Sequence, residues 1–138
     1  MQNKDYTELL NSFTMQININ FPSNEELTNF LFSQINEFIC TDFDGIPENK
    51  VFRLFLNTIK EMIEFSFKNN ASKSYLRNTF KAINNKLLIE IFTNIMPKRI
   101  NDVKFILSRL INFFVYQDVT SSNEYRLNEI IDFIESYE

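Results

Sequence analysis

The chain has 138 residues, a formal net charge of −4, a single Gly, three Pro, a single Cys and no His. This length predicts one domain, and the scarcity of Gly and Pro favours long helices over a many-turned β fold. The negative charge argues against a protein that binds nucleic-acid phosphates or an anionic membrane surface.

The first 22 residues are predicted to form an N-terminal arm that lies on a single domain spanning residues 23–138. Within the arm, residues 5–15 favour a short helix, and alternating apolar residues over 16–21 favour an extended piece. Ser23 and Glu26 have the spacing of a capping box, in which each side chain accepts a backbone N–H of the other. This spacing predicts that the first helix of the domain covers residues 24–39.

Asp42 and Asp44 precede Gly45 and suggest a calcium loop. An EF-hand needs another oxygen ligand before the Gly and a Glu at its twelfth position, where this chain has Arg53. The segment is therefore predicted to be a turn without a metal. Pro47 is expected to begin the next helix at its first position.

The predicted helix over residues 48–67 has an apolar face of about 220°, which is much wider than a single packing contact requires. Phe52, Leu56, Ile63 and Phe67 lie along its edge. Either a second helix covers this edge, or the edge lines an exposed groove that docks a partner helix. If the groove is open, Leu56→Glu is expected to abolish partner binding and leave thermal stability nearly unchanged.

Two shorter helices follow. Ser72 is predicted to cap a helix that runs to residue 83, and a further helix covers residues 85–96. Pro97 is expected to end this helix, because its ring cannot continue the hydrogen-bond ladder.

The most apolar segment, residues 101–116 from Asn101 to Tyr116, is predicted to be a buried central helix that the other helices surround. Phe105 and Val115 fall on the far side from its broad apolar face. The segment is too short and too polar to span a bilayer. A last helix over residues 122–137 is expected to begin with a second capping box, formed by residues 121 and 124.

The residues needed for common catalytic mechanisms are missing from this chain. Without His, and with Cys40 as its one thiol, it offers no nucleophile and base of the usual kind and no thiolate or imidazole metal site. It also lacks a glycine-rich phosphate loop. We therefore expect a binding protein rather than an enzyme, with no cofactor and no metal. The single thiol and the absence of a signal peptide favour the cytoplasm.

Four segments, over residues 23–38, 50–67, 100–116 and 120–137, have an order, length and apolar pattern that resemble the Bcl-2 fold. The chain is most similar to the poxvirus Bcl-2-like intracellular immunomodulators. This resemblance implies an all-α, Bcl-2-like helical bundle around the central helix. It also implies a virus-encoded protein of the host cytoplasm that binds a host signalling adaptor or kinase and suppresses NF-κB signalling.

The alternative function within the same resemblance is an apoptosis inhibitor that sequesters the death-motif helices of pro-apoptotic Bcl-2 proteins. Cellular Bcl-2 proteins carry an Asn-Trp-Gly-Arg signature at the start of the central helix. Asn101 matches its Asn, Asp102 and Val103 replace Trp and Gly, and Lys104 stands in place of the Arg. The partner groove implied by this comparison is lined by Phe52, Leu56, Ile63, Phe67, Val103 and Lys104.

Apolar side chains are left over on the predicted first and last helices of the domain. The resemblance implies a homodimer through these two helices, with a face formed by Phe30, Phe32, Tyr125 and Phe133. The alternative is that an AT-rich coding sequence places Phe on a tolerant surface by chance.

Overall fold

The computed structural model describes residues 5–115 and 123–138, with side chains in the second range from residue 126 onward. The described part is all-helical, which confirms the predicted all-α class. Its seven α-helices are α1 (Thr7–Asn20), α2 (Glu25–Ile39), α3 (Glu48–Lys68), α4 (Lys73–Ile83), α5 (Lys86–Ile95), α6 (Ile100–Phe113) and α7 (Asn123–Glu135).

The N-terminal segment forms one continuous helix, so the extended piece predicted over residues 16–21 is wrong. Leu10 and Ile17, two helical turns apart, are both buried. They face α2 and α4, which pack against α1. Apolar residues Ile17, Ile19 and Phe21 alternate with polar ones, which is the pattern of a strand. In the structure Ile17 is buried and Ile19 is exposed, as expected for a helix that packs on one face.

The helix ends agree with the sequence in part. Ser72 Oγ accepts the Tyr75 backbone N–H at 3.1 Å, which confirms the predicted cap of α4. The helix α5 ends at Ile95, as the position of Pro97 predicts. The capping box at Ser23 is wrong, because residues Pro22–Asn24 form a 3-10 turn and α2 begins only at Glu25. The second predicted capping box lies outside the described side chains.

The segment between α2 and α3 is the predicted turn. Asp42 Oδ1 accepts the backbone N–H of Asp44 at 2.9 Å. Gly45 follows with a φ of 79°, a left-handed conformation that glycine adopts without a steric penalty. Pro47 immediately precedes α3, one position earlier than predicted.

The core lies where α3 packs between α2 and α7, and where α5 closes against α2 and α6. Rings from three helices meet at its centre. Phe38 of α2 lies 6.0 Å from Phe55 of α3 and 6.3 Å from Phe92 of α5, measured between ring centroids. Edge-to-face and tilted pairs at such distances are favourable because the ring edge is positive and the face negative.

The predicted central helix is less enclosed than its composition suggested. Its inner side, with Val103, Ile106, Leu107 and Leu110, is buried against α4, α5 and α7. The opposite side is exposed and includes Phe105, Lys104, Ser108, Arg109 and Asn112. Three neighbouring helices therefore cover the inner side of this helix, but the predicted cover does not extend to its outer side. The helix ends at Phe113, and Tyr116 lies outside the described residues.

No helix in the described ranges has both the length and the apolar character needed to cross a membrane.

Candidate functional site

Most of the predicted partner groove lies inside the core. Phe52, Leu56, Ile63 and Val103 are each 2% exposed or less. The buried positions of α3 cover an arc of about 140° at the ordinary helical period, and both α2 and α7 pack against it. The predicted open cleft along this edge is wrong, because a second neighbouring helix covers the edge. This was the alternative that the sequence left open.

The contacts of these residues show how the cleft is closed. The guanidinium of Arg99 lies 3.7 Å above the centroid of the Phe52 ring, and the Tyr137 ring approaches Phe52 to 6.4 Å. Phe67 is half-buried and lies 6.5 Å from the Phe114 ring. Lys104 is exposed on the outer side of α6. The six predicted residues therefore do not share one accessible surface.

The predicted dimer face is also divided. Phe32 is buried, and the half-buried Phe30 stacks on Phe65 of α3 at 4.2 Å between centroids. Phe133 packs against rings of α6 instead. The Tyr125 side chain lies outside the described ones. The homodimer stays a prediction, but the three described side chains, Phe30, Phe32 and Phe133, do not form one continuous face.

A different surface combines one of these residues with α6. Phe133 lies 6.2 Å from Phe105, 5.9 Å from Phe113 and 5.7 Å from Tyr137, measured between ring centroids. We call these four residues the α6–α7 aromatic patch. Phe105 is 54% exposed, while the other three rings are half-buried. The patch is therefore an aromatic cluster that reaches solvent through Phe105.

The patch follows from helical spacing. Phe105, Arg109 and Phe113 recur every fourth residue along α6, so they lie on the flank that faces α7. Phe133 of α7 and Tyr137 of the turn that follows it are also four residues apart. The Arg109 guanidinium lies 5.2 Å from the Phe113 ring centroid, within the range of a cation–π contact. The sequence signal was present, since Phe105 and Phe133 both fall outside the apolar core faces of their helices.

The phenol of Tyr137, at the inner end of the patch, is harder to ionise than an ordinary tyrosine. Burial, with a further contribution from the negative charge of Asp102, raises the pKa of the Tyr137 phenol above its usual value. Asp102 in turn accepts a hydrogen bond from Arg99 at 2.9 Å. Tyr137 is a neutral phenol at physiological pH, as an unperturbed tyrosine would also be. It can present both an aromatic ring and a hydrogen-bonding hydroxyl.

Beside the patch, an ion-pair cluster fastens α7 to α3. Lys60 Nζ donates to Glu138 Oε1 at 2.7 Å and to Glu135 Oε2 at 3.4 Å. The hydrogen bond to Glu138 raises the pKa of the Lys60 ammonium, with smaller contributions from both negative charges. The two contacts join the C-terminal end of the described chain to α3. In the described ranges, no group of three or more acidic or Cys side chains is placed to hold a metal ion.

The geometry of the patch is typical of protein recognition. Exposed aromatic residues next to an Arg are enriched among the residues that dominate binding energy at protein interfaces. Each ring offers a large apolar area with little loss of conformational entropy. Comparison of the chain with protein-family models, characterised proteins and solved structures gave no match.

Proposed function

We propose that this chain is a protein-binding module and that it binds its partner through the α6–α7 aromatic patch. The observation that carries the proposal is the 54% exposure of Phe105 at the outer end of that cluster. A large ring in water represents unfavourable apolar exposure, and burial under a partner would recover it at roughly 25 cal/mol per Å². Arg109 next to the rings adds a cation that can pair with a partner carboxylate.

The resemblance of the sequence to the poxvirus Bcl-2-like immunomodulators extends this proposal. On that basis the chain is a virus-encoded protein of the host cytoplasm that binds a signalling adaptor or kinase and suppresses NF-κB signalling. The all-helical class agrees with this family. The protein acts by occupying its target, and catalysis has no part in the proposal.

Burial favours this function over the sequestration of death-motif helices. A helix bound in the predicted groove would contact Phe52, Leu56, Ile63 and Val103, and all four are in the core. Exposing them would remove packing worth about 1.5–3 kcal/mol for each side chain. A partner that uses the aromatic patch needs no such opening.

The test is an NF-κB reporter in cells that express the wild-type chain, Phe105→Ser or Leu87→Ser. Leu87 is the matched control, since it is 53% exposed but lies on α5. We expect the wild type and Leu87→Ser to suppress the reporter and Phe105→Ser to lose suppression at equal expression. Equal suppression by all three chains would contradict a role for the patch.

A second measurement separates the two functions. A labelled death-motif peptide is titrated with the purified chain, and we expect no saturable binding at micromolar concentration. Binding in that range, together with an inactive reporter, would support the anti-apoptotic alternative and reject the NF-κB proposal.

A further inference from the structure

A second surface lies between α2 and α3, away from the aromatic patch. A groove of about 310 Å³ is open to solvent there. Its apolar lining comes from Phe38 of α2, Phe43 of the following turn and Leu54 of α3. Leu54 is 43% exposed, although it belongs to the apolar set of its helix. The groove therefore has a buried floor at Phe38, and the fold leaves only Leu54 and the half-buried Phe43 without complete cover.

The charges in this groove are all of one sign. Glu37 lines it from α2 and Glu61 lines it from α3. The remaining lining residues are neutral, so among the residues described there no Lys or Arg balances the two carboxylates. Both Glu side chains are exposed and free to turn toward a ligand. An incoming cation would reduce the repulsion between them and gain attraction from both.

A second apolar position lies past the groove, toward the other end of the two helices. Leu54, Thr58, Glu61 and Phe65 follow each other at helical spacing along the flank of α3 that faces α2. Phe65 is half-buried and stacks on Phe30 of α2. The distance along the axis from Leu54 to Phe65 is about 16 Å at the ordinary helical rise. The surface thus has apolar ends about three turns apart, with Glu61 between them.

We propose that this groove, formed by α2 and α3, docks a basic amphipathic helix of another protein. Such a helix would place apolar side chains at the two ends, and Lys or Arg residues between them would pair with Glu37 and Glu61. A groove between two helices accepts a third helix through apolar anchors that recur at helical spacing. The inference goes beyond the proposed function, because it uses neither α6 nor α7.

The experiment uses the whole chain and two synthetic peptide probes. The first is a labelled, alanine-rich helical peptide with leucines about three turns apart and two lysines between them. The second has glutamates in place of the lysines. Binding is followed by fluorescence anisotropy. We expect saturable binding of the lysine peptide, on the order of tenfold tighter than the glutamate peptide, and weaker at high salt.

Variants locate the binding. Glu61→Lys is expected to weaken binding of the lysine peptide on the order of tenfold, because one attraction becomes a repulsion. Leu54→Ser is expected to weaken it about as much by removing an apolar contact. Glu64→Lys is the matched control, since Glu64 is an exposed carboxylate on the same helix that does not line the groove. This control and Phe105→Ser should bind as the wild type does.

Several outcomes overturn the inference. These are the absence of saturable binding, equal binding of the two peptides, or an equal loss with Glu61→Lys and Glu64→Lys. Sedimentation could reveal another such outcome. If the wild type is a dimer and Leu54→Ser is a monomer, the groove binds a second copy of the chain. Both groove positions are exposed, so thermal melting should show all variants folded. Because Phe105→Ser tests the other surface, either proposal can fail without the other.

Discussion

The hydroxyl oxygens of Tyr75 and Thr28 lie 2.8 Å apart in the core and join α4 to α2. Both residues are fully buried. A buried polar group without a partner is costly, so each hydroxyl stabilises the fold mainly by satisfying the other.

Tyr75→Phe is therefore expected to lower the free energy of unfolding by about 1–2 kcal/mol, because the Thr28 hydroxyl loses its partner. Urea denaturation measures the change. The double variant with Thr28→Val is the control, and it should lose less than the sum of the two single variants. Additive losses would contradict the coupling.

The same tyrosine predicts a dependence of stability on alkaline pH. Burial raises the pKa of Tyr75 above its ordinary value of 10.0. As the pH rises past 10.0, the Tyr75 phenol of the unfolded chain ionises at a lower pH than that of the folded chain. Stability from this group is complete below the unfolded pKa and declines as pH rises toward the folded pKa. Unfolding curves on both sides of pH 10, with Tyr75→Phe as reference, should show a steeper decline for the wild type.

Leu56→Ala tests the correction of the predicted groove. Because Leu56 is 0% exposed on α3, its truncation should cost about 2–5 kcal/mol through lost burial and a residual cavity. Leu56→Glu should prevent folding or lower the melting temperature severely. The earlier expectation of an almost unchanged stability holds only for an open groove. Leu54→Ala on the same helix is the exposed control and should have a small effect.

The cap of α4 is predicted to make a smaller contribution to stability than the core residues. Ser72→Ala removes the acceptor for the Tyr75 N–H and should cost about 1 kcal/mol. Ser23→Ala is the comparison, because Ser23 lies in the 3-10 turn before α2 and should have a smaller effect. Thermal unfolding of the two variants distinguishes them. A larger loss of stability with Ser23→Ala than with Ser72→Ala would support the predicted capping box at Ser23 and contradict the structure.

The ion pairs of Lys60 test how α7 is held. Lys60→Met removes the contacts with Glu135 and Glu138 and keeps most of the aliphatic chain. Since both acidic partners are substantially solvent-exposed, the loss should stay below about 1 kcal/mol and shrink further at high salt. Urea denaturation at two ionic strengths measures it. A loss that salt does not reduce would show that packing, rather than charge, is responsible.

The sequence alone determined the helical class and most helix positions. Local patterns were enough to place α4 and α5, because the signals act within a few residues. These signals are the spacing of Leu76, Phe80 and Ile83, the cap at Ser72 and the helix stop at Pro97. The turn at Asp42 was predictable for the same reason, because its hydrogen bond spans two residues.

Only the tertiary structure decided which apolar side chains are covered. Leu54 and Leu56 have the same side chain on one helix, yet the first is exposed and the second is in the core. Periodicity gives the direction of a side chain around its own helix, but burial depends on which neighbours pack there. The same reason explains why Phe105, in the most apolar segment, reaches solvent, while the predicted groove of α3 is closed by α2 and α7.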